Sequence, residues 1–296
     1  MTAGEGRLPA VEGRLPAVVG VIGGGRMGAG IAHAFVLAGA RAVIVERDRD
    51  SADAALARVR RSLVASVDRG ATTEPPEVLT ARVTAGSEIA ELGDAELVIE
   101  AVPEDAALKA DALARAESVM ADDAVLATNT SSISIDELAA ALDRPSRFLG
   151  MHFFNPVPAS ALIELVRGPV TAGVLVERAR GWVRELGKTP VVVADAPGFA
   201  SSRLGVVLGL EAIRMLQDGV ASAEDIDAAM VLGYRHPVGP LRLTDLVGLD
   251  VRLGIAEVLA ERLGPRFEPP ELLRRMVAEG RLGRKTGEGF YLWESE

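Results

Sequence analysis

Apolar residues along the chain form short runs that alternate with stretches of helical periodicity. The runs are bounded by glycine, proline or polar residues, so each predicts a buried strand. They lie at residues 18–22, 42–45, 81–83, 97–100, 124–128, 148–152, 162–165 and 190–193. Helical periodicity fills several intervals, notably residues 27–37, 51–68, 104–120 and 171–186. Strands that alternate with helices predict a mainly parallel, doubly wound sheet.

The strand pattern stops at the turn Asp195-Ala-Pro-Gly198. From residue 201 to 218 the polar side chains occupy a narrow stripe, which leaves a very wide apolar face. In a domain of this size, such a face predicts burial against a second subunit. We therefore expect an α/β protein with an N-terminal doubly wound Rossmann-type sheet over residues 17–195. An all-α C-terminal domain over residues 196–296 would follow and would form a homodimer.

The N-terminus contains a repeat. Residues 5–11 and 12–18 are the same heptad, Glu-Gly-Arg-Leu-Pro-Ala-Val, and the second copy runs into the first predicted strand. A slipped duplication or a misplaced start explains such a repeat. We therefore predict that residues 1–16 are a flexible leader without a function of their own.

The composition limits the classes of function. The 296 residues have a formal net charge of −10, which disfavours nucleic acid or an anionic membrane as a partner. The absence of cysteine excludes disulfides, thiolate metal sites and a cysteine nucleophile. No apolar run approaches the roughly 20 residues of a membrane span, and the N-terminus lacks the apolar core of a signal peptide. The expectation is a cytoplasmic enzyme without a metal site.

The most informative motif follows the first strand, where a glycine turn leads into a helix. Gly23 permits the tight turn, Gly25 lets the backbone approach a pyrophosphate, and Gly28 lets helix and strand pack closely. The phosphates would sit on N–H groups at the start of the helix. Glu46 ends the second strand, where a carboxylate accepts hydrogen bonds from ribose hydroxyls and repels a 2′-phosphate. The motif predicts NAD rather than NADP, and Arg47 is the neighbour that could reverse this preference.

Three histidines are the candidates for a proton acceptor at neutral pH. Structural roles are expected for His33, within a predicted helix, and for His236, in a turn. His152 instead ends a strand, where doubly wound sheets place ligand-contacting groups, and Asn129–Ser132 follow another strand end. Glu164 returns after a loop stiffened by two prolines. A carboxylate beside an imidazole fixes its tautomer and stabilises its protonated form, which suits alcohol oxidation.

Together these motifs resemble the 3-hydroxyacyl-CoA dehydrogenase family, and most strongly its short, single-function 3-hydroxybutyryl-CoA dehydrogenase type. The resemblance covers the chain from residue 17 to its end. Besides the glycine turn, it rests on Val98–Val102 with Glu104 and Lys109, on Asn129–Ser132, His152–Pro158, Pro197–Phe199 and Lys285–Tyr291. It implies reversible, NAD-dependent oxidation of a short-chain L-3-hydroxyacyl-CoA to the 3-ketoacyl-CoA, within fatty acid metabolism.

The resemblance also implies roles for individual residues. The general base falls on His152, its carboxylate partner on Glu164, and the serine that binds the substrate hydroxyl on Ser131. The implied contacts to NAD are Gly23, Gly24, Gly25, Arg26, Met27, Gly28, Glu46, Glu104, Lys109, Ser131, Asn155 and Lys285. The implied contacts to CoA are Ser62 and Arg69.

Two positions depart from the family pattern. Ser202 stands where the family usually has an asparagine close to the reacting oxygen, and we expect Ser202 to hold that oxygen together with Ser131. Ser160-Ala161 replaces the family's usual Met-Lys in the loop after His152. Two alternatives therefore stay open. One is the same hydride transfer on an acyl-carrier-bound or free hydroxy acid, and the other is a weakly active NAD-binding protein.

Overall fold

The computed structural model describes residues 14–294 and divides the chain into two units, Met1–Asp195 and Ala196–Glu296. The predicted leader, residues 1–16, lies outside the described residues except for its last three positions. Between residues 14 and 294, no helix is both long and apolar enough to span a membrane.

A single sheet of eight strands organises the first unit. In chain order the strands are β1 (Val18–Ile22), β2 (Arg41–Val45), β3 (Val83–Gly86), β4 (Leu97–Glu100), β5 (Val125–Thr128), β6 (Phe148–Phe153), β7 (Leu162–Arg167) and β8 (Thr189–Ala194). Across the sheet their order is β3-β2-β1-β4-β5-β6-β7-β8. All neighbouring strands pair in parallel except β6 and β7, which are antiparallel. The prediction of a doubly wound Rossmann-type sheet is confirmed.

Six α-helices accompany this sheet among the described residues. They are α1 (Arg26–Leu37), α2 (Arg49–Asp68), α3 (Pro76–Ala81), α4 (Ala106–Glu117), α5 (Ile135–Ala139) and α6 (Gly173–Glu185). Aspartate caps set two of the helix starts. The Asp48 side chain accepts from the Ser51 N–H at 2.7 Å, and Asp105 accepts from the Leu108 N–H at 2.8 Å. For this reason α2 and α4 begin at 49 and 106, close to the predicted 51 and 104.

The predicted strand at residues 81–83 is wrong by almost its whole length. Ala81 is the last residue of α3, and the strand runs from Val83 to Gly86. Val83 is the only large apolar residue of this strand. The other three residues that pair with β2 are Thr84, Ala85 and Gly86, which are polar or small. Apolar periodicity therefore carries almost no signal for this strand, and the apolar end of α3 resembles one.

The change to an antiparallel direction at β7 follows from the length of the loop before it. A parallel crossover needs about a dozen residues or more, and the loop of residues 154–161 is shorter than that. The chain therefore turns back directly beside β6. In the resulting register His152 lies opposite Glu164, and Phe153 lies opposite Ile163.

The second unit is helical. Its α-helices are α7 (Ser201–Gln217), α8 (Ala223–Ala228), α9 (Pro240–Val247), α10 (Leu249–Leu263) and α11 (Glu271–Ala278). Between residues 196 and 294, β-pairing is limited to the isolated bridges of Glu288 with Gly283 and with Leu292. Asp245 anchors the final segment, because its carboxylate accepts from the N–H groups of Phe290 and Tyr291, each at 2.9 Å. The prediction of an all-α second domain is confirmed.

Candidate active site

The turn after β1 has the backbone geometry of a phosphate-binding loop. Gly23 has a φ of +89°, a value that favours glycine. A Cβ at Gly28 would lie 1.8 Å from the carbonyl oxygen of Gly23, so only glycine lets α1 pack this closely. By contrast, a Cβ at Gly25 would meet nothing within 4 Å. The turn and packing roles match the sequence prediction, and the pyrophosphate contact at Gly25 stays a prediction.

The start of α1 suits an anion. No side chain caps it, and its first turn contains no acidic residue. Arg26 is exposed there, and Met27 is half-buried against the core. The N–H groups of this turn have no partner within the helix itself, and a pyrophosphate would supply one while facing the positive end of the helix dipole. These residues therefore fit a dinucleotide.

Glu46 lies against the same turn. Its Oε1 accepts from the Gly24 N–H at 2.7 Å, and its Oε2 accepts from the Arg47 N–H at 3.3 Å. The Arg47 guanidinium forms an ion pair with Asp48 at 3.0 Å. A carboxylate is thus fixed beside the glycine turn, where a 2′-phosphate would meet its negative charge.

The carboxyl ends of β4 and β5 meet around a buried ion pair. Lys109 Nζ donates to Glu100 Oε1 at 2.8 Å and to the Val102 carbonyl at 3.0 Å, and it lies 3.3 Å from Glu104 Oε2. Glu100 also accepts from the Thr128 hydroxyl at 2.6 Å. Lys109 is 1% exposed, and its ammonium has three protein acceptors in place of water. Its contact with NAD stays a prediction.

Glu104 holds the segment that contains Ser131. Its Oε1 accepts from the Thr130 hydroxyl at 2.6 Å, from the Ser131 N–H at 2.9 Å and from the Ser132 N–H at 3.2 Å. Burial opposes ionisation of Glu104, but the charge of Lys109 and these hydrogen bonds outweigh it and hold the pKa of the carboxyl below its usual value. Glu104 and Ser131, which the sequence predicts separately, are therefore joined by hydrogen bonds between the Ser131 N–H and hydroxyl and the ionised Glu104 carboxylate.

The histidine and glutamate selected from the sequence form a buried dyad. His152 Nδ1 lies 2.9 Å from Glu164 Oε2, and the two residues are cross-strand partners on β6 and β7. Both are almost fully buried, at 6% and 1% exposure. The ring of Phe154 lies 4.4 Å from the imidazole, centroid to centroid. With the carboxylate at Nδ1, that nitrogen carries the proton, which leaves Nε2 as the nitrogen that can accept one.

Asn129, from the strand-end segment noted in the sequence, and Lys188, which was not selected, support the segment that follows His152. Asn129 Oδ1 accepts from the Phe153 N–H at 2.8 Å, which ties the end of β5 to the end of β6. Lys188 Nζ donates to the Val157 carbonyl at 2.7 Å and also to the Ser160 carbonyl, so it holds the loop after His152. Burial lowers the pKa of Lys188. The rarity of lysine, with only three in the chain, is the sequence signal that could have identified it.

A cavity of about 660 Å³ opens on the first unit, next to this loop. Its lining includes His33, Arg69, Pro158 and Lys188. His33 is buried and hydrogen-bonded through Nε2 to the Ser66 hydroxyl at 2.9 Å, in keeping with a structural role. Of the two residues expected to contact CoA, the cavity wall includes Arg69 but not Ser62.

Asn155, Ser202 and Lys285 are the remaining predicted site residues, and each has different surroundings. Asn155 is exposed in the loop after β6. Ser202 is half-buried in the first turn of α7. Lys285 binds both carboxylate oxygens of Asp250, at 2.6 and 2.5 Å, within the second unit. The roles of these three residues stay predictions.

Comparison with known proteins covers nearly the whole described chain. Residues 18–196 match the family model of the 3-hydroxyacyl-CoA dehydrogenase NAD-binding domain, and residues 198–293 match that of the C-terminal domain of the same enzyme. The 3-hydroxybutyryl-CoA dehydrogenase of Mycobacterium tuberculosis is 44% identical over 279 residues, which are 93% of this chain and 98% of that protein. The probable 3-hydroxybutyryl-CoA dehydrogenase of Deinococcus radiodurans is 41% identical over 273 residues, with 92% and 98% covered.

Solved structures also match this chain over nearly its whole length. (S)-3-hydroxybutyryl-CoA dehydrogenase from Ralstonia eutropha superposes with a TM-score of 0.90 at 39% identity, covering 95% of this chain and all of that one. A diketoreductase described as acting on dicarbonyl compounds superposes with a TM-score of 0.85 at 27% identity, with 95% and 100% covered.

Proposed function

The chain belongs to the 3-hydroxyacyl-CoA dehydrogenase family, and from that premise we propose that it interconverts a short-chain L-3-hydroxyacyl-CoA and the 3-ketoacyl-CoA. It is an NAD-dependent oxidoreductase. The observation that carries the proposed substrate chemistry is the buried pair of His152 and Glu164, 2.9 Å apart, in a chain whose close relatives are named as 3-hydroxybutyryl-CoA dehydrogenases. NAD, when bound, supplies the acceptor for the hydride that leaves the hydroxyl-bearing carbon.

His152 performs the proton transfer in this proposal. Its Nε2 accepts the proton of the substrate hydroxyl, and the imidazole becomes an imidazolium. Glu164 stabilises that charge because its carboxylate is already bound to Nδ1 at 2.9 Å and needs no rearrangement. Burial of both residues keeps water from weakening this interaction.

Ser131 and Ser202 orient the reacting oxygen. Ser131 is held by Glu104 through both its N–H, at 2.9 Å, and its hydroxyl, at 3.2 Å, so its position is fixed before the substrate arrives. Ser202 provides a shorter side chain than the asparagine usual in the family, and we expect its hydrogen bond to be the weaker one. Arg69, on the wall of the 660 Å³ cavity, provides a guanidinium for a CoA phosphate.

The substrate assignment is tested by NADH oxidation with a panel of 3-ketoacyl-CoA thioesters of increasing chain length. We expect turnover on short-chain members, with acetoacetyl-CoA among the substrates. A parallel assay uses the same acyl groups as free acids and as pantetheine thioesters. Absence of turnover on every CoA thioester would refute the proposed function, and turnover restricted to the free acids would support the alternative substrate below.

Cofactor choice gives a second expected result. Changing Glu46 to Gln keeps an acceptor for the Gly24 N–H but removes the charge that faces a 2′-phosphate. We expect the preference for NAD over NADP to fall by about 1–3 kcal/mol, or roughly 5–150-fold in kcat/KM. Steady-state kinetics with both cofactors measures this ratio. Arg47→Gln is the control. If only this control changed the ratio, Arg47 rather than Glu46 would set the preference.

A second candidate substrate is a hydroxy acid without CoA. The chain departs from the family pattern at Ser160-Ala161, in the loop after His152, and at Ser202, in α7. In addition, the diketoreductase with the same fold is described as acting on dicarbonyl compounds. The chemistry of His152 and Glu164 would be unchanged. The free acids in the panel distinguish this candidate.

We also propose a homodimer formed through the second unit. Leu204 of α7 is 66% exposed, and Val251 and Val258 of α10 are exposed as well. Large apolar side chains left exposed on a helical unit are typical of association surfaces. A second copy of the chain would cover them, as expected from the wide apolar face of residues 201–218.

A further inference from the structure

One charged side chain interrupts the buried face of α10. The buried residues of this helix are Leu249, Arg252, Ala256 and Leu259, which recur at helical spacing. Arg252 is 7% exposed and occupies a position where the pattern predicts an apolar residue. Its burial therefore needs an explanation beyond packing.

Arg252 has no acidic partner among the residues that the structure describes. Its Nε is buried without a hydrogen-bond acceptor. Burial alone lowers the pKa of its guanidinium, to about 10, so the side chain keeps its charge at neutral pH. A cation that is mostly buried and lacks an acidic partner is unfavourable, and such groups are usually paired or bind a ligand.

The helix opposite makes room for this guanidinium. A Cβ at Gly205 of α7 would lie 3.1 Å from Arg252 Nη1 and 3.7 Å from Nη2. Glycine is unfavourable in the interior of a helix. Gly205 has no unusual backbone conformation that would require it. What the glycine provides is space beside the Nη atoms.

The guanidinium lies along the face of α7 that carries Ser202. Ser202 and Gly205 are three residues apart, so they share a face and are separated by about 4.5 Å along the helix axis. In the proposed function Ser202 contacts the reacting oxygen. An anion bound to Arg252 would then lie a few bonds from the hydroxyl-bearing carbon. This distance suits the end of a short acyl chain, whereas the phosphates of CoA lie beyond the pantetheine arm.

We propose that Arg252 binds a carboxylate at the end of the acyl chain remote from the thioester. The preferred substrate is then the 3-hydroxyacyl-CoA of a short dicarboxylic acid. The inference rests on the proposed function and narrows its substrate class. A guanidinium matches a planar carboxylate with two parallel N–H···O bonds, and this pairing neutralises the buried charge. A chain that ends in a methyl group would leave Arg252 unpaired.

The test compares two six-carbon substrates that differ at one end only. 3-Hydroxyadipyl-CoA ends in a carboxylate, and 3-hydroxyhexanoyl-CoA ends in a methyl group. We expect kcat/KM of the full-length enzyme to be at least about tenfold higher for the first. Arg252→Met should reduce this ratio by about 10–100-fold. Gly205→Ala should also reduce it, with the charge retained. The control, Arg266→Met at an exposed arginine, should keep the wild-type ratio.

Measurements of the melting temperature and of the oligomeric state distinguish the remaining outcomes. Without substrate, Arg252→Met should melt at a higher temperature than the wild type, because a buried unpaired charge is removed. Equal efficiency of the two substrates in the wild type would overturn the inference. So would an Arg252→Met variant that dissociates in size-exclusion chromatography with an unchanged ratio, since Arg252 would then pair with a second copy.

A third substrate separates this inference from the proposed function. If 3-hydroxybutyryl-CoA is oxidised and the six-carbon pair is not distinguished, only the role of Arg252 is wrong. If no thioester is oxidised, the proposed function and this inference are both wrong.

Discussion

Replacing His152 by alanine should lower kcat for 3-hydroxybutyryl-CoA by about 10²–10⁴-fold. The variant loses the nitrogen that accepts the substrate proton, and it leaves the Glu164 carboxylate without its 2.9 Å partner. Binding of NADH should change little, because the cofactor residues proposed here lie on other elements. Stopped-flow absorbance of NADH formation measures the loss, and fluorescence titration measures NADH binding.

The substitution Glu164→Gln tests whether His152 and Glu164 act together. If Glu164 acts through His152, the substitution lowers kcat in the wild-type background and has no further effect in the His152→Ala background. His236→Ala is the matched control, because it removes a histidine of the second unit outside the proposed site, and its kcat should equal that of the wild type. A His152→Ala enzyme with near-wild-type kcat would eliminate His152 as the base.

Replacing Lys109 by methionine should lower the free energy of unfolding of the first unit by about 3–5 kcal/mol. Lys109 is 1% exposed and its partner Glu100 is fully buried, so the variant leaves a carboxylate in the interior without its counter-ion. Urea unfolding at constant temperature measures the change. The effect should exceed that of removing a surface pair, because solvent does not screen the charge that is left behind.

The chain offers both a reporter and a control for this measurement. It has two tryptophans, and Trp182 lies in the first unit at 2% exposure. In a Trp293→Phe background, its fluorescence reports on that unit alone. Arg115→Met on the same helix removes an exposed ion pair with Asp111, 3.6 Å long, and should cost at most about 0.5 kcal/mol. Equal effects of the two substitutions would show that the Lys109 pair contributes no more than a surface contact.

The features that the sequence predicts best are those with a local physical cause. A positive φ at Gly23 and the close approach at Gly28 each require glycine, so the turn can be recognised from spacing. The pairing of His152 with Glu164 is predicted because a carboxylate returns towards the imidazole after a loop stiffened by two prolines. The antiparallel direction of the two strands is not predicted, although the short loop explains it.

The features that the sequence does not predict depend on distant residues. Nothing in the local pattern indicates that Lys188 reaches back to the carbonyls of Val157 and Ser160. Arg252 is equally hidden, because a single arginine on a helix is usually exposed, and its environment is set by Gly205 on another helix. The bounds of strand β3 are predicted wrongly for a different reason, because most of its residues are small or polar.

The pairing of His152 with Glu164 through strand register has a consequence for how the enzyme can diversify. Backbone ladders fix both residues, with β7 also paired to β8 at Glu164 and Val191. The loop of residues 154–161 is attached by other contacts: Lys188 donates to two of its carbonyls, Val157 is buried in the core, and the Ala161 carbonyl accepts from the Thr189 N–H at 2.7 Å. Another short loop could be grafted between the two strands without changing the geometry of the dyad, provided that it keeps a buried residue at the position of Val157. Substitutions such as Ser160-Ala161 can therefore alter substrate recognition in a chimaera or a lineage while proton transfer stays intact.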